Sequence, residues 1–203
     1  RRGNMLSIGL TGGIGTGKSL VSNLLNDFGA TVVNADLLGH EAYLPGTIGF
    51  DLVVDAFGNK IVGDDGTVDR KKLGPIVFSS PENMAKLNSI MHPLIHDMIE
   101  AQLTEYSSNG TDVVVVEAAV LMEANWEALF DEIWVVTSER ETVIERLQGR
   151  NSLTREDAIA RIDSQMSQEE RIEHSHVVVV NDGTTGDLAD NAKKIWNTRV
   201  VNN

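Results

Sequence analysis

The sequence predicts an α/β fold built on a largely parallel, five-stranded sheet. Three observations carry that reading. Clusters of Val, Ile and Leu recur along the chain, stretches of helical periodicity separate them, and one cluster, Val113-Val114-Val115-Val116, is apolar on both faces. Strands that alternate with helices point to parallel pairing, because a parallel connection needs a crossover long enough to hold a helix. A strand apolar on both faces belongs inside such a sheet, with helices covering it from each side. The strands are placed at Leu6–Thr11, Thr31–Ala35, Asp112–Ala118, Glu132–Thr137 and His176–Val180.

About 70 residues, Leu37 to Ser107, separate the second strand from the third, far more than a simple crossover needs. That interval reads as an inserted, mostly helical lobe. Phe57-Gly58-Asn59 and Gly63-Asp64-Asp65-Gly66 carry turn chemistry, and Pro81–Tyr106 shows a long helical stripe of Leu87, Ile90, Met91, Leu94, Ile95, Met98, Ile99 and Leu103. A second helical pair, Glu139–Gly149 and Arg155–Glu170, lies between strands four and five, with Thr154 and Asp157 spaced like a capping box. The expected organisation is a single domain with a core of residues 5–36, 108–138 and 175–203, an insertion at 37–107 and a lid region at 139–174. The length of 203 residues, somewhat above the roughly 150 of an average domain, agrees with a core plus one insertion.

Composition narrows the function. With 41% apolar and 23% charged residues the chain can build a core. Its 30 Asp and Glu against 17 Lys and Arg give a net charge of −13, which argues against broad binding to nucleic acid or to an anionic membrane surface. The absence of cysteine excludes disulfides, zinc–thiolate sites and thiol nucleophiles. No apolar run approaches the roughly 18 residues of a membrane span, and Arg1-Arg2-Gly3-Asn4 leads into no signal-peptide core. A soluble, cytoplasmic protein with no membrane insertion is expected.

The strongest motif is Gly12-Gly13-Ile14-Gly15-Thr16-Gly17-Lys18-Ser19, which satisfies G-x-x-x-x-G-K-S/T between a strand-like and a helix-like run. Glycines let backbone N–H groups converge on phosphate oxygens, and the following helix turns its positive end toward them. Lys18 would reach the β/γ oxygens and Ser19 would ligate Mg²⁺. The plain alternative is a glycine-rich turn with an incidental lysine. A dinucleotide-binding loop fails, because Lys18 stands where G-x-G-x-x-G needs its last glycine. A GTPase switch fails too: Asp36-Leu37-Leu38-Gly39 fits D-x-x-G, but Asn59-Lys60-Ile61-Val62 misses the final aspartate of N-K-x-D. The motif therefore points to a P-loop NTPase; it does not by itself separate switches, motors and small-molecule kinases, and the nucleoside/nucleotide kinase-like reading rests on what surrounds it.

Around it stand candidates for the chemistry. Asp36, at the end of strand two, is expected beside the loop of strand one, where it would accept the proton of an attacking hydroxyl; the alternative is an N-cap for a helix beginning at Leu37. Glu117 ends strand three, where an acid orients a magnesium shell or is merely solvated. Arg146 and Arg150 share one helical face in an arginine-dense lid, suited to the charge of a transferring phosphoryl group, although such spacing also marks solvated helix faces. Asn181-Asp182-Gly183 follows strand five as a wall for adenine or as a plain turn. His92 and His96 have metal-like spacing, but Pro93 intervenes and no third ligand is in view, so polar lining or a helix start is preferred; His174 and His176 introduce strand five.

These residues resemble the dephospho-coenzyme A kinase family over Ile8 to about Trp196. The match includes Ile8-Gly9-Leu10-Thr11 leading into the P-loop, Ala35-Asp36, Pro45-Gly46-Thr47, Phe57-Gly58, Asp65-Gly66, Asp69-Arg70 and Leu73-Gly74 with Val77-Phe78. It continues through Leu87-Asn88, His92-Pro93, Arg150-Asn151, Arg161-Ile162 with Ser164-Gln165-Met166, and Asn181 with Gly183. The P-loop is generic, whereas the middle segment is specific. The resemblance implies ATP-dependent phosphorylation of the ribose 3′-hydroxyl of dephospho-CoA to give CoA and ADP, with Mg²⁺. It implies Asp36 as base, Gly12 to Leu20 with Asn181 and Gly183 around ATP, and Arg70, Leu73, His92 and Glu117 beside Asp36 around the acceptor. Lys18, Arg146 and Arg150 would carry developing charge.

Several positions depart from the family pattern. Asn34 replaces the first carboxylate of a usual Asp-x-Asp, leaving Asp36 to act alone, and Leu20 replaces a frequent hydroxyl residue. The stretch Glu117 to Trp126 lacks a proline of many bacterial forms and looks more like the kinase domain of animal bifunctional CoA synthase. Together with a start at Arg1, that sets the expectation of an upstream phosphopantetheine adenylyltransferase domain and, in that case, of mitochondrial association; Met5 is the alternative native start. Two other readings stay open: another P-loop nucleoside or nucleotide kinase, and a non-catalytic ATP-binding module.

Overall fold

The computed structural model describes residues 3–202, the side chain of Asn151 excepted. It contains one five-stranded parallel sheet, β1 (Leu6–Gly12), β2 (Thr31–Asn34), β3 (Val113–Glu117), β4 (Glu132–Thr137) and β5 (Val177–Val180), in the order β2-β3-β1-β4-β5. All four pairings are parallel. Val114, Val115 and Val116 are fully buried, as a strand flanked by strands and covered on both faces must be.

The order corrects one expectation. β3 lies between β1 and β2, so the end of strand two does not adjoin the loop of strand one. Leu10, Glu117 and Asn34 stand in one row across β1, β3 and β2, and Glu117 is the acid on the strand beside the loop.

The chain divides into two compact units, residues 1–34 with 103–203 and residues 35–102. In the first, α1 (Lys18–Asp27) and α9 (Thr185–Trp196) place Val21, Leu25, Leu188 and Trp196 in one core cluster with Ile8, Leu10, Val115, Trp134 and Val179. Thr184 begins α9 with a capping box closed by Asp187. Trp126, Trp134 and Trp196, the chain's three tryptophans, are all at least 95% buried. Trp134 Nε1 donates to Glu132 Oε2 at 2.8 Å, and Arg199 Nη2 reaches Glu132 Oε1 at 2.8 Å, so the carboxylate sunk at the start of β4 is satisfied from two sides.

The lid region holds three helices rather than the expected pair: α6 (Arg140–Asn151), α7 (Arg155–Asp163) and α8 (Gln168–Glu173). The break follows from local chemistry. Ser167 caps α8, and Glu170 closes a capping box on it, so a new helix starts inside the stretch read as one. Thr154 caps α7 by accepting the N–H of Asp157 at 3.1 Å.

The second unit contains α2 (Ala35–Glu41), α3 (Ile48–Phe57), a 3-10 turn (Asn59–Ile61), α4 (Arg70–Phe78) and most of α5 (Pro81–Ser108). Thr47 and Asp69 cap α3 and α4 through the N–H groups of Phe50 and Lys71. On α5, Met91, Ile95, Ile99 and Leu103 are buried at i, i+4 spacing. Here too an expectation is corrected: β2 ends at Asn34 and α2 begins at Ala35, so Asp36 lies inside the first turn of a helix instead of capping one that starts at Leu37.

Candidate phosphoryl-transfer site

β1 ends at Gly12, a residue that must be glycine: its φ is +155°, and a Cβ there would sit 2.5 Å from the carbonyl oxygen of Val136. Gly17, with φ +94°, closes the loop as the N-cap of α1, and a Cβ on it would meet Asn181 Nδ2 at 2.4 Å. Between them the chain curls on itself, with Thr16 Oγ1 donating to the carbonyl of Gly13 at 2.8 Å. Half-buried Lys18 begins α1 and places Nζ 2.9 Å from Gly12 O and 3.4 Å from Gly13 O. An ammonium and the positive end of a ten-residue helix thus converge on one loop, the arrangement that receives phosphate.

Next to Lys18, the exposed hydroxyl of Ser19 donates to Glu117 Oε1 at 2.8 Å, and Ser22 Oγ donates to Glu117 Oε2 at 2.8 Å. Glu117 is therefore not a merely solvated strand end. It presents hard oxygens beside a hydroxyl at the carboxyl edge of the sheet, a donor set that fits a divalent cation.

A frame of side chains holds the loop from behind. Asn181 is buried, and its Nδ2 donates to Thr16 O at 2.8 Å, so its amide braces the loop instead of standing open as a wall. Gly183 is exposed and sits at the start of α9, where a Cβ would meet Asp187 Oδ2 at 2.7 Å. Arg146 donates to Gly15 O at 3.3 Å, Ser138 Oγ at 2.9 Å and Asn181 O at 2.8 Å. Arg146 and Arg150 share a helix but not an environment: Arg146 is committed to the loop's framework, whereas Arg150 is exposed in the last turn of α6. Leu20, the residue after Ser19, is exposed on α1.

Arg146→Ala is expected to leave two carbonyls and a hydroxyl without their charged donor and to lower stability by about 2–3 kcal/mol. Arg146→Lys should recover less than half of that, since an ammonium has no planar fork. Urea denaturation of the three proteins reads both values.

Further ties come from the lid region. Arg140 and Asp163 form a two-pronged ion pair at 2.8 and 3.0 Å, and the hydrogen bonds from Arg140 hold the Asp163 carboxyl below the usual range. Being depressed, that carboxyl keeps the pair at every pH above the ordinary carboxylate value and loses it only as pH falls below. Gln165 Oε1 accepts the N–H of Ile14 at 2.8 Å, and Gln168 Oε1 that of Ser138 at 3.1 Å. Arg171, only 1% exposed, pairs with Glu123 Oε1 at 2.5 Å beside Thr11. Arg171 and Glu123 stand 48 residues apart, a separation with no local spacing signal.

The P-loop, Glu117, Arg146, Arg150, Asn181 and Gly183 all lie in the first unit, while Asp36, Arg70, Leu73 and His92 lie in the second. Asp36 is exposed two residues past the end of β2; Arg70 is exposed at the start of α4; His92 is half-buried on α5; Leu73 is buried in that unit's core. His96, Asp97 and Glu100 have ligand atoms near one another on α5, but His92 is not among them.

The family model described as CoaE, dephospho-CoA kinase, matches residues 6–187. The chain belongs to the dephospho-CoA kinase family. A dephospho-CoA kinase of Geobacter sulfurreducens is 43% identical over 192 residues, covering 95% of this chain and 98% of that protein. Among solved structures, a Thermus thermophilus protein superposes with a TM-score of 0.79 at 30% identity, covering 97% of this chain and 98% of that one. A dephospho-CoA kinase from Campylobacter jejuni superposes at 0.74 with 25% identity and the same coverage. A member of the dephospho-CoA kinase family with this loop is a kinase that uses ATP. The Geobacter protein is matched almost end to end, which gives the expected upstream adenylyltransferase domain no support. Among the described residues no helix is long and apolar enough to cross a membrane.

Proposed function

We propose that this chain transfers the terminal phosphoryl group of ATP to the ribose 3′-hydroxyl of dephospho-CoA, giving CoA and ADP. The observation that carries the reading is the family match across residues 6–187, laid over a loop in which Lys18 and the start of α1 converge. Gly12 to Leu20 hold the phosphates, and Lys18 offsets charge developing on the transferred group. Ser19 Oγ and the Glu117 carboxylate would hold Mg²⁺, the latter directly or through water. Held there, Mg²⁺ would supply positive charge against the phosphate oxygens. Asp36 accepts the 3′-hydroxyl proton, and Arg70 and His92 of the second unit orient the acceptor; buried Leu73 supports them from within that unit's core. Exposed Arg150 meets the transferring group, while Arg146, Asn181 and Gly183 act through the framework behind it. The reaction is placed in the cytoplasm.

The deciding assay gives the purified chain Mg·ATP and dephospho-CoA beside a panel of nucleosides, with mass spectrometry reading one added phosphoryl group. Phosphorylated dephospho-CoA alone is the expected result. Transfer to a nucleoside instead would replace this reading with another kinase, and transfer to nothing would leave a nucleotide-binding module.

A further inference from the structure

Gln165 lies in the connection between α7 and α8 and reaches the P-loop from outside it. A backbone N–H can only donate, so the atom facing Ile14 N at 2.8 Å must be the amide oxygen, Oε1. That orientation leaves Nε2 as the other end of a planar amide, and among the described residues it has no hydrogen-bond partner. The side chain is exposed and lines a cavity of about 310 Å³ together with Gly13, Ile14 and Thr16 of the loop. A pair of unused N–H donors therefore stands at the rim of a phosphate-binding loop, tethered to one of that loop's own amides.

Its backbone is held on both sides. Two residues earlier, Asp163 is pinned by Arg140, and three residues later Gln168 accepts the N–H of Ser138 at the end of β4. Six residues later, buried Arg171 anchors α8 to Glu123. An amide fixed at both its oxygen and its backbone has little freedom left to lose, so a bond from Nε2 to a phosphate oxygen costs little ordering.

We infer that Gln165 is a γ-phosphate-sensing residue: Oε1 holds Ile14 N–H while Nε2 donates to the terminal phosphate of the nucleotide. The inference rests on the kinase reading above. It adds that discrimination between a triphosphate and a diphosphate is made in part by a side chain of the lid region and not by the loop alone. A hydrogen bond to a charged oxygen corresponds to about 10- to 10²-fold in affinity.

Two substitutions separate the two ends of the amide. Gln165→Glu keeps an acceptor for Ile14 N–H but removes the donors and adds a negative charge. Gln165→Met is uncharged, nearly as long, and removes both. The residue is exposed, so both variants are expected to melt within a few degrees of the parent. Calorimetric titration of the full chain with a non-hydrolysable ATP analogue and with ADP gives the ratio of the two affinities. The expected result is a loss of about tenfold or more in that ratio for both variants, larger for Glu, with ADP binding nearly unchanged. Steady-state kcat should fall at least as far.

A Glu variant with the parent's ratio and kcat would reduce Gln165 to a tether and overturn the inference. So would a ratio shifted by Glu but not by Met, which would report charge repulsion without donation, or an equal loss of both nucleotides, which would report a distorted loop. If the parent chain phosphorylated no dephospho-CoA, the kinase assignment would fall, while the ratio of nucleotide affinities would still judge Gln165.

Discussion

Asp36→Asn is expected to lower kcat by about 10²- to 10⁴-fold while leaving ATP affinity nearly intact. Asparagine has the shape of aspartate and the same place in the first turn of α2, but its amide takes up no proton from an attacking hydroxyl. A carboxylate in that turn also complements the helix dipole, a contribution of about 0.3–1 kcal/mol that the substitution removes as well. The two effects separate in measurement: the base role reads out in kcat with saturating ATP and acceptor, and the dipole role in the unfolding midpoint. The neighbouring Asn34 makes the test sharp, because no second carboxylate ends β2 to substitute for the first. Full activity in Asp36→Asn would leave the residue as a helix-terminal charge and move the search for the base elsewhere.

Lys18→Ala is expected to lower kcat/KM for ATP by about 10²- to 10³-fold, the loss typical of one preorganised charge-stabilising donor. The side chain spans from the first turn of α1 to the carbonyls of Gly12 and Gly13, so its ammonium is already on the loop's phosphate-facing rim. Lys18→Arg should recover little, since a planar guanidinium with a fixed fork of donors does not reproduce a compact ammonium set between the carbonyls of Gly12 and Gly13. Initial rates at several ATP concentrations, with melting temperatures as a folding control, read the effect. A change confined to KM, with kcat unaltered, would assign Lys18 to ground-state binding only.

What could be read from the sequence depended on how far apart the cooperating residues stand. The P-loop is eight consecutive residues whose types dictate their own conformation, and it lies between β1 and α1 where the motif requires. β4 matches its expected bounds because its burial is uniform along the strand. Sheet order was out of reach: Val113–Val116 announces an inner strand, but no local pattern says that it separates β1 from β2. Asn181 stands at the expected edge of the sheet, but its bond to Thr16 O is not legible there, because a side chain's partner depends on what tertiary packing brings against it. The bond from Ile14 to Gln165 and the pair of Arg171 with Glu123 are illegible for the same reason. The capping box at Ser167 and Glu170 is different: it is written in four residues, and helical periodicity running across it hid the break.

The distribution of tryptophan has a consequence for how this protein can be watched. Trp126, Trp134 and Trp196 are all sunk in the first unit, and residues 35–102 contain none. Intrinsic emission at long excitation wavelengths is thus a private signal of the sheet that carries the phosphate loop, shielded from collisional quenchers. The helices of the second unit contribute only to the circular dichroism. Along one denaturant series the emission follows the first unit alone and the circular dichroism follows both, so a difference between the two curves reports the second unit without a label on either.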